Sequence, residues 1–140
     1  VLLLDNSAWT RLFRGVLDTK RAEEIAAATE RDEIAVCLPF VLEAGYSARS
    51  GSEHSALMAD LGALPRVEVT PAVERTALQA QAKLARIGHH RLPPADLIIA
   101  ACAHEARAGV LHYDGDYDLI LKHTDLVFGS SWVAPAGTLD

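Results

Sequence analysis

Apolar residues along this chain fall into short unbroken runs, separated by longer stretches in which they recur every three or four positions. The runs are VLLL (1–4), IAVCL (34–38), VEV (67–69), VLHY (110–113) and LVF (126–128). Each is too short for a helix and most do not alternate with polar residues, which predicts five buried strands. Between them, Trp9, Leu12 and Phe13 have helical spacing until Gly15, and residues 19–30 set acids and bases around an Ala/Ile stripe. Pro39 suits the first turn of a helix over about 40–49, because it has no N–H to leave unpaired. Another helix runs from His54 to Leu61. Thr70-Pro71 followed by Glu74 reads as a cap, a first-turn proline and an early acid, opening a helix to about Ile87. GHHRLPP (88–94) is a loop, and an Ala-rich helix follows from Pro94 to about Arg107, ended by Gly109. DYDLILKH (116–123) predicts a short helix.

Strands alternating with helices, with strand segments apolar throughout, point to an α/β fold with a parallel sheet covered on both faces. In such sheets functional groups gather beyond the carboxyl ends of the strands. Asp5 closes the first strand and Asp114 the fourth.

Composition adds bounds. A chain of 140 residues, half of them hydrophobic, fits one domain over 1–140 with a sizeable core. No apolar run reaches the length of a membrane span, and VLLL lacks the basic leader and cleavage region of a signal peptide. Cys37 and Cys102 stand in apolar surroundings at no metal-binding spacing, which predicts buried free thiols in a reducing, cytoplasmic compartment. The net charge of −6 argues against a passive nucleic-acid-binding surface. Asp5, Glu43, Asp96, Asp114, Asp116 and Asp118 account for that excess, and the remaining charges balance.

Those acids carry the chemistry. Glu43 lies one turn into a helix, inside FVLEAGY, where burial would be costly unless it is paired or liganded. In isolation it suits equally a solvated helix edge or a pair with Arg49. Asp96 opens a helix apolar nearly all round, and alone it would read as a capping or first-turn acid favoured by the helix dipole. Taken together, Asp5, Glu43, Asp96 and Asp114 each fall at the sheet's carboxyl edge or one turn past it. Four converging acids raise one another's pKa values and destabilise an empty fold, whereas a hard divalent cation with oxygen ligands reverses that effect. A calcium loop is excluded at DGDYDL because Leu119 stands where the sharp turn needs glycine. Zinc is disfavoured because the six histidines form no ligand pair and neither cysteine has a ligand neighbour. Ser7 is placed to hydrogen-bond Asp5 rather than to act as a nucleophile. Substrate phosphates would need local positive charge, for which Arg11, Arg14, Arg86, His89, His90 and Arg91 are candidates, alongside the alternative that they are ordinary solvated side chains.

The opening VLLLDNSAWTRLFRG, Glu43 in PFVLEAGYSAR, Asp96 in LPPADLIIAACA and Asp114 in LHYDGDYDLI together resemble the PIN-domain family over essentially the whole chain. Within it the chain resembles the VapC-type ribonuclease toxins of bacterial type II toxin–antitoxin systems. That resemblance implies a PIN-like α/β/α sandwich with a central, mainly parallel five-stranded sheet. It also implies Mg²⁺-dependent endoribonuclease activity with Mn²⁺ as a substitute, a homodimer, and a cognate antitoxin in the active-site groove. DNA would be reached only through the antitoxin complex. Carried over by position, Asp5, Glu43, Asp96 and Asp114 form the acidic core. Asp5, Asp96, Asp114 and Asp116 would hold metal, with Ser7 and Asp118 in support. Asp116 would share the site if the chain stays extended past Asp114, and Asp118 would cap a helix beginning at Leu119. A regulatory, antitoxin-binding protein with little catalysis, or an enzyme acting on a non-RNA phosphoester, remain as alternatives.

Overall fold

The computed structural model describes residues 1–139. Its elements are β1 (Leu2–Leu4), α1 (Asn6–Arg14), α2 (Thr19–Glu30), β2 (Ile34–Cys37), α3 (Leu38–Tyr46), α4 (Gly51–Gly62), β3 (Arg66–Val67), α5 (Pro71–Ala85), α6 (Pro94–Ala106), β4 (Gly109–His112), α7 (Asp116–His123) and β5 (Gly129–Trp132). The strands form one sheet in the order β3-β2-β1-β4-β5, and every neighbouring pair is parallel. The sheet is therefore wholly parallel. Strand order runs outward in one direction from β1 to β3 and in the other from β4 to β5. The crevice beyond β1 and β4 is thus the switch point at which parallel α/β sheets place their ligands.

The central strands are buried at nearly every position, which explains their unbroken apolar runs. Helix α6 packs on β1 and β4 and against α3, α5 and α7. It buries Leu97 and Ile99 through Ala103, so a stretch that looks too apolar for a surface helix is the centre of one layer. Cys37 and Cys102 are both buried and free. Among the described residues, no helix is long and apolar enough to cross a membrane. Phe40 belongs to the core, whereas Phe13 and Tyr46 stay largely exposed, at 80% and 91%.

The fifth strand departs from expectation. LVF (126–128) buries Leu126 and Phe128 and exposes Val127, but β5 begins only at Gly129. The Val127 N–H goes instead to His104 Nδ1, at 2.9 Å. As an edge strand β5 is only partly covered, so GSSW carries no apolar run to announce it. Its place is held from outside the sheet by Arg21 on α2, whose guanidinium donates to the carbonyl oxygens of Trp132 and Val133 and to Ser131 Oγ.

Gly109 is needed where β4 meets both neighbours. A Cβ there would lie 2.8 Å from the Gly129 carbonyl oxygen and 2.8 Å from Leu2 Cδ2. Gly129 has room, its nearest neighbour being the Gly109 Cα at 3.6 Å. Gly109→Ala is expected to lose about 1–3 kcal/mol of unfolding free energy in urea titrations, while Gly129→Ala stays near wild type.

Candidate active site

The switch point is assembled from six elements, β1, α1, α3, α6, β4 and α7. Asp5 follows β1, and its backbone N–H donates to the Leu111 carbonyl of β4 at 3.1 Å. It is also the N-cap of α1, where its side chain accepts from the Ser7 N–H at 2.9 Å and from the Ser7 hydroxyl. The Ser7 oxygen in turn accepts the Tyr113 N–H at 2.8 Å, tying the ends of β1 and β4 together. The other Asp5 oxygen accepts a hydrogen bond from the Tyr117 hydroxyl, at 2.7 Å. Three donors and a helix N-terminus thus compensate a carboxylate that is only 3% exposed.

Asp96 lies in the first turn of α6, but neither caps that helix nor finds a full set of partners. Its Oδ1 is 3.5 Å from the Tyr117 hydroxyl, and its Oδ2 is buried with no hydrogen-bond partner among the described residues. Burial foremost, and then the charges of Asp5, Asp114, Asp116 and Glu43, push its carboxyl up to about 8. Asp96 therefore keeps its proton to a higher pH than an ordinary aspartate does. Burial likewise raises the Tyr117 phenol, with Asp5 and Asp96 adding to the effect. Tyr117 is thus a neutral donor wedged between two acids.

Asp114 follows β4 and accepts the Asp116 N–H at 2.9 Å. That contact turns the chain directly into α7, whose N-cap position is Gly115. Asp116 therefore reaches the site from the first helical turn and not from an extended segment. Oxygens of Asp96, Asp114 and Asp116 all lie within 4.8 Å of one another. Burial and Asp114 raise the Asp116 carboxyl. Glu43, on α3, is exposed at the rim, with its carboxyl raised by partial burial and by Asp5 and Asp114. Arg49 pairs with Glu53 at 3.6 Å, so the alternative of a Glu43–Arg49 pair is not what forms.

Asp118 has a different place from the one expected. Helix α7 already begins at Asp116, and the Asp118 carboxylate crosses to β5, accepting from Ser130 Oγ at 2.6 Å and from Trp132 Nε1 at 2.9 Å. It does not cap. Two neighbours escaped the sequence reading. Tyr117 bridges the acids, and His112 is fully buried beside it, with ring centroids 4.8 Å apart. A histidine inside an apolar strand was the available signal, because a buried imidazole needs hydrogen-bond partners.

The basic candidates divide. The Arg11 guanidinium donates to the Ser7 carbonyl at 2.9 Å and lies 4.3 Å from the centre of the ring of Tyr113, the residue before Asp114. Arg14 lines a groove of about 520 Å³ that opens between α1, α3 and α4. Arg86, His89, His90 and Arg91 are exposed on the segment joining α5 to α6, with His89 stacked on His123.

The PIN domain family model matches residues 2–122. The chain belongs to the PIN-domain family. It is 40% identical over 138 residues to Ribonuclease VapC51 of Mycobacterium tuberculosis, covering 99% of this chain and 96% of that one. It is 36% identical over 142 residues to Ribonuclease VapC18 of the same organism, covering 99% of both. The fold is similar to that in the crystal structure of DNA-bound VapBC from Salmonella typhimurium, with a TM-score of 0.73 at 14% identity over 95% of this chain and 98% of that one.

The acids of this PIN domain suit a divalent cation. All donors are carboxylate oxygens, which hard ions such as Mg²⁺ and Mn²⁺ prefer, and the orphaned Asp96 Oδ2 is a buried acceptor awaiting a positive partner. The metal-free protein carries the cost in a form that pH reveals. Asp96 titrates near 8 when folded and near the ordinary aspartate value of about 4 when unfolded, so between these limits the unfolded state binds fewer protons. Stability should therefore fall as pH rises from about 4 to 8 and level off above. Thermal melts in EDTA are expected to show this decline, and Asp96→Asn should flatten it and melt several degrees higher at pH 8.

Proposed function

We propose that this chain is a metal-dependent endoribonuclease of the toxin–antitoxin type, which hydrolyses RNA phosphodiester bonds and is restrained by a cognate antitoxin. The observation that carries the reading is the oxygen cluster of Asp96, Asp114 and Asp116, in which Asp96 also carries a buried oxygen, Oδ2, with no hydrogen-bond partner among the described residues. The full-length relatives named as ribonucleases support the substrate class.

Asp96, Asp114 and Asp116 would hold Mg²⁺, or Mn²⁺ in its place, with Asp5 contributing through whichever lone pairs Ser7 and Tyr117 leave free. When bound, the ion would supply Lewis-acid polarisation of the phosphate and lower the pKa of an attacking water. The protein's own residues supply the remainder. Asp5, fixed by Ser7 and Tyr117, holds the base of the site in place. Tyr117 holds Asp5 and Asp96 apart while donating to the first. Glu43 stands at the solvent rim with a raised affinity for protons, suited to orient a water and accept its proton as the phosphate is attacked. Attack by water leaves a 5′-phosphate and a 3′-hydroxyl and makes no use of the RNA 2′-hydroxyl. Arg11 is placed to meet RNA phosphate beside the acids, and Arg86, His89, His90 and Arg91 to meet it at the approach to α6.

The antitoxin reading draws support from the VapBC complexes that share the fold. The α1/α3/α4 groove fits an apolar segment of such a partner. Trp9, Phe13, Ala44 and Leu57 line it, and it begins at Asn6, one residue from Asp5. DNA would be engaged through the antitoxin, since this chain's net charge is −6. The reading also includes a homodimer, for which the mass in solution at micromolar concentration is the check.

Purified protein should cleave total RNA with Mg²⁺ or Mn²⁺ and stop in EDTA. Asp96→Asn should lower the rate by about 100-fold or more. Sequencing of the fragment ends should find 5′-phosphates. Undiminished cleavage in EDTA or by the variant would overturn the metal mechanism. Faster hydrolysis of single-stranded DNA or of a phosphomonoester than of RNA would overturn the substrate.

A further inference from the structure

A chain of hydrogen bonds runs from the surface of α7 into the backbone of Asp114, and the chemistry of its members fixes the direction of each bond. Asp118 can only accept, so Ser130 donates its hydroxyl proton to Asp118 Oδ1 at 2.6 Å. With its proton spent, Ser130 Oγ must accept from His112 Nε2, at 2.8 Å. His112 Nδ1, 3.1 Å from the Asp114 nitrogen, accepts that backbone N–H. The imidazole is therefore neutral, with its hydrogen on Nε2. Trp132 Nε1 donates to the second Asp118 oxygen at 2.9 Å, holding the far end.

Packing fixes the ring as firmly as these bonds do. His112 is fully buried between Tyr117 and Trp132, with centroids 4.8 and 4.9 Å away, and its own carbonyl accepts the Val133 N–H at 2.8 Å. Every member of the chain lies on β4, α7 or β5, and none offers an atom to the acid cluster. What the chain reaches is the peptide N–H of Asp114, whose carboxylate does belong to that cluster and is held at its other end by the Asp116 N–H.

We propose that His112 is a positioning residue for Asp114, and that Asp118, Ser130 and Trp132 set the tautomer and orientation of its ring. This rests on the reading of the acid cluster as a cation site. It assigns to β5 a task beyond closing the sheet edge. Strand β5 carries the two side chains through which an exposed carboxylate sets the angle at which Asp114 leaves β4. Outer hydrogen-bond partners of metal ligands commonly change metal affinity by about 10- to 100-fold when removed, because a ligand free to rotate loses its preorganisation.

Mn²⁺ binding to the intact protein, followed by calorimetry without RNA, separates this role from a general loss of stability. Asparagine at 112 places an oxygen where Nδ1 accepts the Asp114 N–H, and glutamine reaches towards Ser130 but not to that N–H. Both shorten the packing against Tyr117 and Trp132, so melting temperature should fall in both. His112→Gln and Ser130→Ala are expected to weaken Mn²⁺ binding by about tenfold or more, with His112→Asn within about threefold of wild type. Wild-type Mn²⁺ affinity in folded His112→Gln, or equal losses in the Asn and Gln variants, would overturn the proposal. Should His112→Gln not fold, wild-type affinity in Ser130→Ala would overturn it alone. Asp114→Asn is the reference. If it binds Mn²⁺ as well as wild type does, the cation site itself fails. If it loses binding while His112→Gln and Ser130→Ala do not, only the positioning role fails.

Discussion

Like charges gathered at one edge of a parallel sheet repel one another, and much of the local structure answers that repulsion. Asp5, Asp114, Asp116 and Glu43 all act electrostatically on Asp96, and Asp5 and Asp114 act on Glu43, across the β1/β4 crevice. Each is accommodated differently. Asp5 is neutralised in effect by three donors and the start of α1. Asp96 keeps a proton because burial and its neighbours make ionisation costly. Glu43 stays at the rim, where water screens it, and Asp116 is only partly covered. The least relieved group is Asp96, whose second oxygen finds no donor. A cation bound there would convert the whole arrangement from mutual repulsion into coordination, so the repulsion and the proposed coordination are two sides of one constraint.

The topology makes this gathering unavoidable. A wholly parallel sheet sends every strand's carboxyl end to the same edge, and the reversal of strand order between β1 and β4 leaves a crevice that no crossover helix covers. Helix α6 supplies the third wall. Because it packs on both central strands, its N-terminal turn is pressed against the crevice, and an acid there is buried whether or not it has partners. Asp96 is thus held in a costly position by the same apolar contacts, Leu97 and Ile99 through Ala103, that stabilise the domain. Stability of the core and strain of the site have a common source.

How much of this could be read from the sequence follows from which forces leave a local trace. Strands β1, β2 and β4 were legible because burial on both faces demands apolar runs, and Asp5 and Asp114 because they interrupt or follow those runs. Helix α6 and its Asp96 stood out for the same reason. Strand β5 was misplaced by three residues, since an edge strand held by backbone bonds and by Arg21 needs no apolar signature. Asp118 was read as a cap because acids near a helix start usually act locally, whereas its partners lie 12 and 14 residues further on. Tyr117 was invisible as a polar residue. Its ring satisfies the pattern of a buried aromatic, and nothing in one dimension says that its hydroxyl meets Asp5, 112 residues away.

The two hydroxyls on Asp5 also separate its task from that of the other acids. Ser7 binds one oxygen from within the same turn and also holds the Tyr113 N–H, so it couples Asp5 to the end of β4. Tyr117 binds the other oxygen from α7, so it couples Asp5 to the segment that carries Asp114 and Asp116. Asp5 is therefore the point at which β1, β4 and α7 are referred to one another, and any ion it helped to hold would share it with two protein donors. Asp96, Asp114 and Asp116 have no comparable crowd. A division follows in which one carboxylate fixes the frame and three remain available to a ligand. Asp114 and Asp116 are partly open to water and Asp96 is buried like Asp5, yet the fixed one decides where all three stand.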